Sequence, residues 1–186
     1  MDEPLADRRI VLGVASDLAA CDSPAVCSGL VRCGAQVDVV LCAGAETFVP
    51  ALTYQALTHR RVYTSMFDLF AGENIPHVAL AGAADLVLMA PATGAALSRL
   101  ANGLADELFY AIALASPAPI VLAASAPPDL WQHADTRRHI ETLREWGVEI
   151  LPPPSEGAAD GAMLDVAEIL GAARAALRAD PHAPAS

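Results

Sequence analysis

Asp85-Leu-Val-Leu-Met-Ala-Pro-Ala-Thr93 is the stretch on which the fold turns. From Leu86 to Ala90 every residue is apolar, and Pro91 is expected to close the run. A strand with no polar alternation has no face to give to water, so it is buried on both sides, as in a parallel sheet. Similar short runs lie on either side of it. Arg9 to Ala15 (RIVLGVA), Gln36 to Cys42 (QVDVVLC), Pro119 to Ala124 (PIVLAA) and Val148 to Leu151 read as strands, and Val78 to Leu80 reads as a short one. Helical segments separate them. Val26, Leu30 and Val31 share one helical face, and Gly34 ends that segment. Glu46 to Leu57, Gly94 to Ala101, Leu104 to Ala115, Thr136 to Trp146 and Met163 to Arg178 complete the set, and Val62 to Phe70 is mixed.

Strand and helix in alternation specify an α/β fold. The expectation is a three-layer α/β/α, Rossmann-like (flavodoxin-like) domain with a parallel sheet. It covers residues 1–186 as one domain, with flexible tails at 1–8 and 180–186. In such sheets ligands sit at the carboxyl ends of the strands. The residues following Ala15, Cys42, Ala90 and Ala124 are therefore the ones to inspect.

Composition narrows the function. The 186 residues carry a formal charge of −11, and 54% of them are hydrophobic. Such a chain folds around a core, repels a nucleic-acid backbone and avoids anionic membrane surfaces. Neither nucleic acid nor membrane is an expected partner. No apolar run is long enough to span a bilayer. The acidic start, Met1-Asp2-Glu3-Pro4, is unlike a signal peptide, so the expected location is cytoplasmic. Cys21, Cys27, Cys33 and Cys42 include no C-x-x-C pair; they read as free buried thiols, and no metal site is expected.

The loops carry a family resemblance. Ile10-Val-Leu-Gly-Val14, Phe48-Val49 with Leu52-Thr-Tyr-Gln-Ala-Leu57, Ile75-Pro-His-Val78, and Asp85 to Thr93 running into Leu100-Ala-Asn-Gly-Leu-Ala-Asp-Glu-Leu108 resemble the flavoprotein family of cysteine decarboxylases. Trp131-Gln-His-Ala-Asp-Thr136 with Leu143 resembles that family's W-x-H-P-x-T segment. The family includes phosphopantothenoylcysteine decarboxylase and the lantibiotic-pathway enzymes that oxidatively decarboxylate a peptide's C-terminal cysteine. The resemblance implies FMN as cofactor and trimers or trimer assemblies with flavin sites between subunits. It makes His77 the catalytic base or proton shuttle, a role imidazole suits because it titrates near neutrality. It assigns flavin contacts to Gly13, Ala15, Ser16, Cys42, Phe48, Pro91 and Thr93.

The departures from the family pattern are as informative. Asp17 stands where a hydroxyl would meet the FMN phosphate; it opposes that charge, or it caps the following helix while Ser16 supplies the hydroxyl. Cys42 replaces a Ser or Thr, Ala95 and Ala96 replace Asn and Thr, and Pro127 replaces the Asn that orients the substrate carboxylate. The substrate segment, Glu156 to Met163, lacks the family's Arg, which disfavours a phosphorylated substrate and favours a peptide. Trp131 covers a flavin edge or packs, and Trp146 is expected in the core. Arg60-Arg61 and Arg137-Arg138 are expected as solvated pairs. Asp106 and Glu107 read as a surface helix start, at a trimer interface by resemblance.

Two readings stay open. In one, the chain decarboxylates the C-terminal cysteine of a ribosomal peptide to an aminoenethiol, with the peptide and its pathway enzymes as partners. In the other it is a non-catalytic member with weak or no FMN binding, acting as scaffold, regulator or subunit of a mixed oligomer.

Overall fold

A computed structural model describes residues 5–67, 75–154 and 161–179. Six strands form one all-parallel sheet: β1 (Arg9–Val14), β2 (Gln36–Leu41), β3 (Val62–Tyr63), β4 (Leu86–Thr93), β5 (Ile120–Ser125) and β6 (Glu149–Leu151). Their order is β3-β2-β1-β4-β5-β6, so the topology reverses between β1 and β4 and opens a crevice at their carboxyl ends. Eight helices cover the sheet: α1 (Ser23–Arg32), α2 (Ala51–Thr58), α3 (Pro76–Ala83), α4 (Gly94–Ala101), α5 (Leu108–Ala115), α6 (Pro128–Gln132), α7 (Ala134–Glu145) and α8 (Val166–Ala179). Side chains of α1, α2 and α8 pack in one core cluster, and those of α3, α4, α5 and α7 in another. The strands divide between both clusters, with Ile10, Leu12 and Val14 turned to one face and Val11 to the other. The three-layer α/β/α expectation holds.

Several boundaries differ from the sequence reading. Val78 to Leu80 is not a strand; it lies inside α3, where Pro76 occupies the first turn. A short apolar run fits either period, and the Ala-rich sequence with a proline at its start settles it as helix. Pro91 does not end β4, which continues to Thr93. The register against β5 shifts between Met89 and Ala92, so the missing N–H of Pro91 falls in the irregularity and the Ala90–Pro91 bond is cis. Residues 104–107 precede α5 rather than belonging to it, and α6 was not anticipated.

Burial corrects other expectations. Trp146 caps the end of α7 and is 55% exposed, because it follows the last apolar position of that helix, Leu143. Leu5 is fully buried, the Asp7 N–H donates to Gly34 O at 3.0 Å, and Arg8 pairs with Asp85 at 3.2 Å. Leu5, Asp7 and Arg8 are therefore tied to the body of the fold; 1–4 and 180–186 lie outside the described residues. Cys27 and Cys42 are buried, but Cys33 is half-buried and Cys21 exposed. Arg60 is not a solvated charge. It donates through Nε and Nη2 to Asp38, at 2.9 and 2.7 Å, and Arg9 Nε reaches the other oxygen of this buried carboxylate at 3.0 Å. Two guanidiniums on one buried carboxylate supply the pairing its burial requires.

Candidate functional site

The crevice between β1 and β4 is built from tight backbone. Gly13 is buried in β1, and a Cβ there would overlap the Phe109 ring, so only glycine lets α5 lie this close to the sheet. Beyond it, the Ala15 N–H donates to Pro91 O at 3.3 Å and joins the ends of β1 and β4. Ser16 is exposed, and a Cβ on Gly44 would stand 2.8 Å from its Oγ. Gly44 has φ +84°, a conformation that favours glycine, so the loops after β1 and β2 meet at a contact with no room for another side chain. The Ser16 and Gly44 N–H groups have no acceptor among the described residues.

Asp17 resolves as a cap. Its backbone is extended, and Oδ1 accepts the Ala19 N–H at 3.0 Å, at the start of a 3-10 turn over Leu18–Asp22. Thr93 does the same for α4: Oγ1 accepts the Ala96 N–H at 3.2 Å. The Gly94 and Ala95 N–H groups, next along that first turn, have no intrahelical acceptor and face a ligand or water. Free N–H groups with the hydroxyls of Ser16 and Thr93 fit an anionic phosphate; the Asp17 carboxylate is the opposing charge. The residues present therefore fit the phosphate of a flavin mononucleotide, against that one charge.

On the β2 side, Cys42 lies just past the strand and is buried. Burial, then the Glu107 carboxylate, pushes its thiol up to about 12, so it remains an S–H. Glu107 Oε2 accepts the Ala43 N–H at 2.7 Å. Its other oxygen lies 3.8 Å from Arg99, which also donates to Asp106 at 3.2 Å. Glu107 thus ties the start of α5 to the end of β2, and Asp106 ties it to Arg99 of α4, roles beyond that of a surface helix start. A cleft of about 190 Å³ opens beside them, lined by Cys42, Ala43, Thr64, Phe67, Glu107 and Phe109 among others. Phe48 stands at the end of a 3-10 turn, 39% exposed, an apolar surface available to a ring.

His77 is in the first turn of α3, not in a loop before a strand. Because α3 leads directly into β4, it runs against the strand direction and its N-terminal turn faces the carboxyl side of the sheet. His77 Nδ1 is the one buried side-chain polar atom without a hydrogen-bond partner among the described residues. Native cores leave few such atoms, because each costs about 1–3 kcal/mol. The His77 imidazole thus keeps one open hydrogen-bonding position on this side of the sheet among the described residues.

Two participants carry no role in the sequence reading, although one of them directly follows Ala124. Ser125 ends β5, is 1% exposed, and donates a short hydrogen bond to Gly161 O. A Cβ on Gly161, which has φ +82°, would stand 3.7 Å from Asp17 Oδ1. Gly161 therefore lies across the ends of β5 and β1. A serine closing an apolar strand was the available signal. Leu130 is the other: a Cβ on Gly94 would come within 3.2 Å of it, so α6 lies against the start of α4. Pro127 is the N-cap residue of α6 and makes no side-chain cap bond. The acidic segment at 155–160 lies outside the described residues.

Comparisons with known proteins bear on the family and the fold. The family model described as Flavoprotein matches residues 2–177. The coenzyme A biosynthesis bifunctional protein CoaBC of Bacillus subtilis (strain 168) is 36% identical over 153 residues, 82% of this chain and 37% of that protein. Its Escherichia coli (strain K12) counterpart is 35% identical over 157 residues, 84% of this chain and 39% of that protein. The chain thus spans about two fifths of the length of the curated relatives it matches. Among solved structures, the FMN-dependent cysteine decarboxylase SpaF superposes with a TM-score of 0.83 at 29% identity, covering 94% of this chain and 99% of that one.

Proposed function

The chain belongs to the flavoprotein family, and on that premise we propose that it is an FMN-dependent decarboxylase acting on the C-terminal cysteine of a ribosomal peptide. The product is an aminoenethiol. The observation that carries the reading is the buried, unpartnered Nδ1 of His77 on the carboxyl side of the sheet. The likeness to an FMN-dependent cysteine decarboxylase supports the reaction class.

Bound FMN supplies the two-electron acceptor: the cysteine side chain loses two hydrogens, and the oxidised residue then releases CO₂. The rest falls to the chain's own residues. Ser16, Thr93 and the free N–H groups of Gly44, Gly94 and Ala95 hold the phosphate. Phe48 and Pro91 offer apolar contact to the ring, beside Gly13, Ala15 and Cys42. Cys42 presents a neutral S–H there, because a thiol held up to about 12 does not ionise near pH 7. His77 exchanges the proton of the substrate thiol through its imidazole, whose Nδ1 keeps an open hydrogen-bonding position among the described residues. The protein works in the cytoplasm as a trimer, by family resemblance, with the flavin site between subunits.

The peptide is favoured over a phosphorylated small molecule on charge. Asp17 is the charged side chain beside Gly161 at the crevice, and Arg99 is already engaged by Asp106 and Glu107. Within the enzyme alternative, the 36% match to a coenzyme A biosynthesis protein favours a second reading of the substrate, phosphopantothenoylcysteine. One experiment separates them. Purified protein is titrated with FMN and incubated with synthetic peptides ending in Cys, or with phosphopantothenoylcysteine, under mass spectrometry. The peptide should lose the elements of formic acid, and His77→Gln should stop that loss while still binding FMN. Turnover of only the phosphorylated compound moves the assignment to the second reading. Protein that stays colourless with excess FMN leaves the scaffold role.

A further inference from the structure

On the carboxyl side of the sheet edge, away from the β1–β4 crevice, α6, α7 and the residue following β6 enclose a groove of about 330 Å³. Its walls are Trp131, Arg137, Ile140, Glu141, Arg144 and Pro152. Ile140 and the half-buried Trp131, which packs against the core, make an apolar floor. Arg137, Glu141 and Arg144 lie four and three residues apart, so they form one stripe along α7. All three are exposed.

In a chain of charge −11, carboxylates outnumber guanidiniums two to one, 22 to 11. Arg8, Arg9, Arg60, Arg99 and Arg138 each have a carboxylate partner. Arg137 and Arg144 have no ion pair among the described residues, although Glu141 lies between them on the same stripe. Two unpaired cations over an apolar floor form a site for an anionic, partly apolar ligand.

We propose that this groove binds an acidic segment of the peptide substrate, upstream of its terminal cysteine. The proposal rests on the peptidyl reading given above. Seven residues of helix separate the two guanidinium stems by about 10 Å, which is about one three-residue turn of a polyproline II segment, whose side chains at i and i+3 share a face. Two acidic side chains of an extended peptide can therefore meet both arginines. Glu141, between them, then faces backbone N–H groups of that peptide. A single phosphate fits less well, because the Glu141 carboxylate between the two stems repels it. The groove also joins the crevice through α6, because Leu130, the neighbour of Trp131, lies against Gly94 at the start of α4. A chain anchored in the groove can run over α6 toward Thr93.

The test measures binding apart from turnover. A fluorescent twelve-residue peptide carries two Glu three positions apart and ends in Ser, so it cannot be decarboxylated. It is titrated against the full chain by anisotropy, beside the same peptide with Gln for Glu. Both are repeated with Arg137→Gln/Arg144→Gln, two exposed substitutions that leave the core untouched. In a Trp146→Phe background, Trp131 is the remaining indole, and its emission should change on binding. The Glu peptide should bind about tenfold tighter than the Gln peptide, as two exposed charge pairs allow, and the double variant should erase that difference. Equal affinity for both peptides, or a preference that survives the double variant, overturns the proposal. So does inorganic phosphate displacing the peptide at concentrations where equal ionic strength of chloride does not. Because no arm depends on turnover, failure here is distinct from failure of the decarboxylase assignment. If decarboxylation is found, the KM for Cys-ending peptides should rise in the double variant only when they carry the Glu pair, with kcat unchanged.

Discussion

Asp17 performs a structural task and opposes a functional one, and substitutions can separate the two. Its Oδ1 caps the turn after β1 through the Ala19 N–H at 3.0 Å. Losing such a cap costs about 1 kcal/mol, so Asp17→Ala should destabilise the fold by that amount in urea unfolding. Asp17→Ser and Asp17→Asn keep a cap acceptor and should remain within about 0.5 kcal/mol of the parent. FMN affinity follows a different order. All three variants remove one negative charge from the rim that receives a phosphate. At a half-exposed position, that charge is worth about 1 kcal/mol against a dianion, or roughly fivefold in Kd. The gain should shrink as salt is raised toward 0.5 M, and Asp17→Ser should gain most because its hydroxyl can also donate. Flavin fluorescence titration at two ionic strengths reads these affinities. Weaker FMN binding by Asp17→Asn would show that the carboxylate does not face the phosphate. An Asp17→Ala protein as stable as Asp17→Ser would show that the cap contributes nothing.

Gly44→Ala places a Cβ at φ +84° and 2.8 Å from Ser16 Oγ, and should cost about 1–3 kcal/mol in chemical unfolding; Ser16→Gly in the same chain should relieve the overlap but not the backbone strain, so complete rescue would refute the strain. Pro127→Asn should leave stability unchanged or raise it, since Asn caps where Pro127 cannot, and should increase turnover of Cys-ending peptides severalfold by returning a carboxylate donor; unchanged kcat and KM would remove Pro127 from the site. The thiols of Cys27 and Cys42 are held up to about 12 in the folded chain against an ordinary 9, chiefly by burial. Raised folded values contribute stability fully present below pH 9 and lost as pH climbs to 12, so the urea midpoint should fall over that window, and fall less steeply in a Cys27→Ala/Cys42→Ala chain, where the raised Tyr54 and Tyr110 hydroxyls still contribute. At pH 8, iodoacetamide should label exposed Cys21 first and reach Cys27 and Cys42 only on unfolding, as peptide mapping would show.

The doubly buried strands were readable in one dimension because they carry no polar alternation and recur at strand length between helical segments: Leu86 to Ala90 leaves no face for water. The carboxyl-end loops followed from that, and with them Ser16, Cys42 and Thr93 as residues to inspect. The structure decided what depends on distance. Whether Val78 to Leu80 extends or coils was not encoded in so short a run, and the helix moved His77 from a loop to a helical first turn. Trp146 is apolar in composition yet exposed, because its place at the end of α7 puts it beyond the core-facing stripe. The partnership of Asp38 with Arg9 and Arg60 joins positions separated by 29 and 22 residues, which no local pattern predicts. The same holds for Glu107 on the Ala43 N–H and Ser125 on Gly161. Sequence by itself determined which segments must be removed from water, because hydrophobic burial is written residue by residue. Which polar atoms then find partners, and that His77 Nδ1 finds none, was decided only when the sheet order set distant segments side by side.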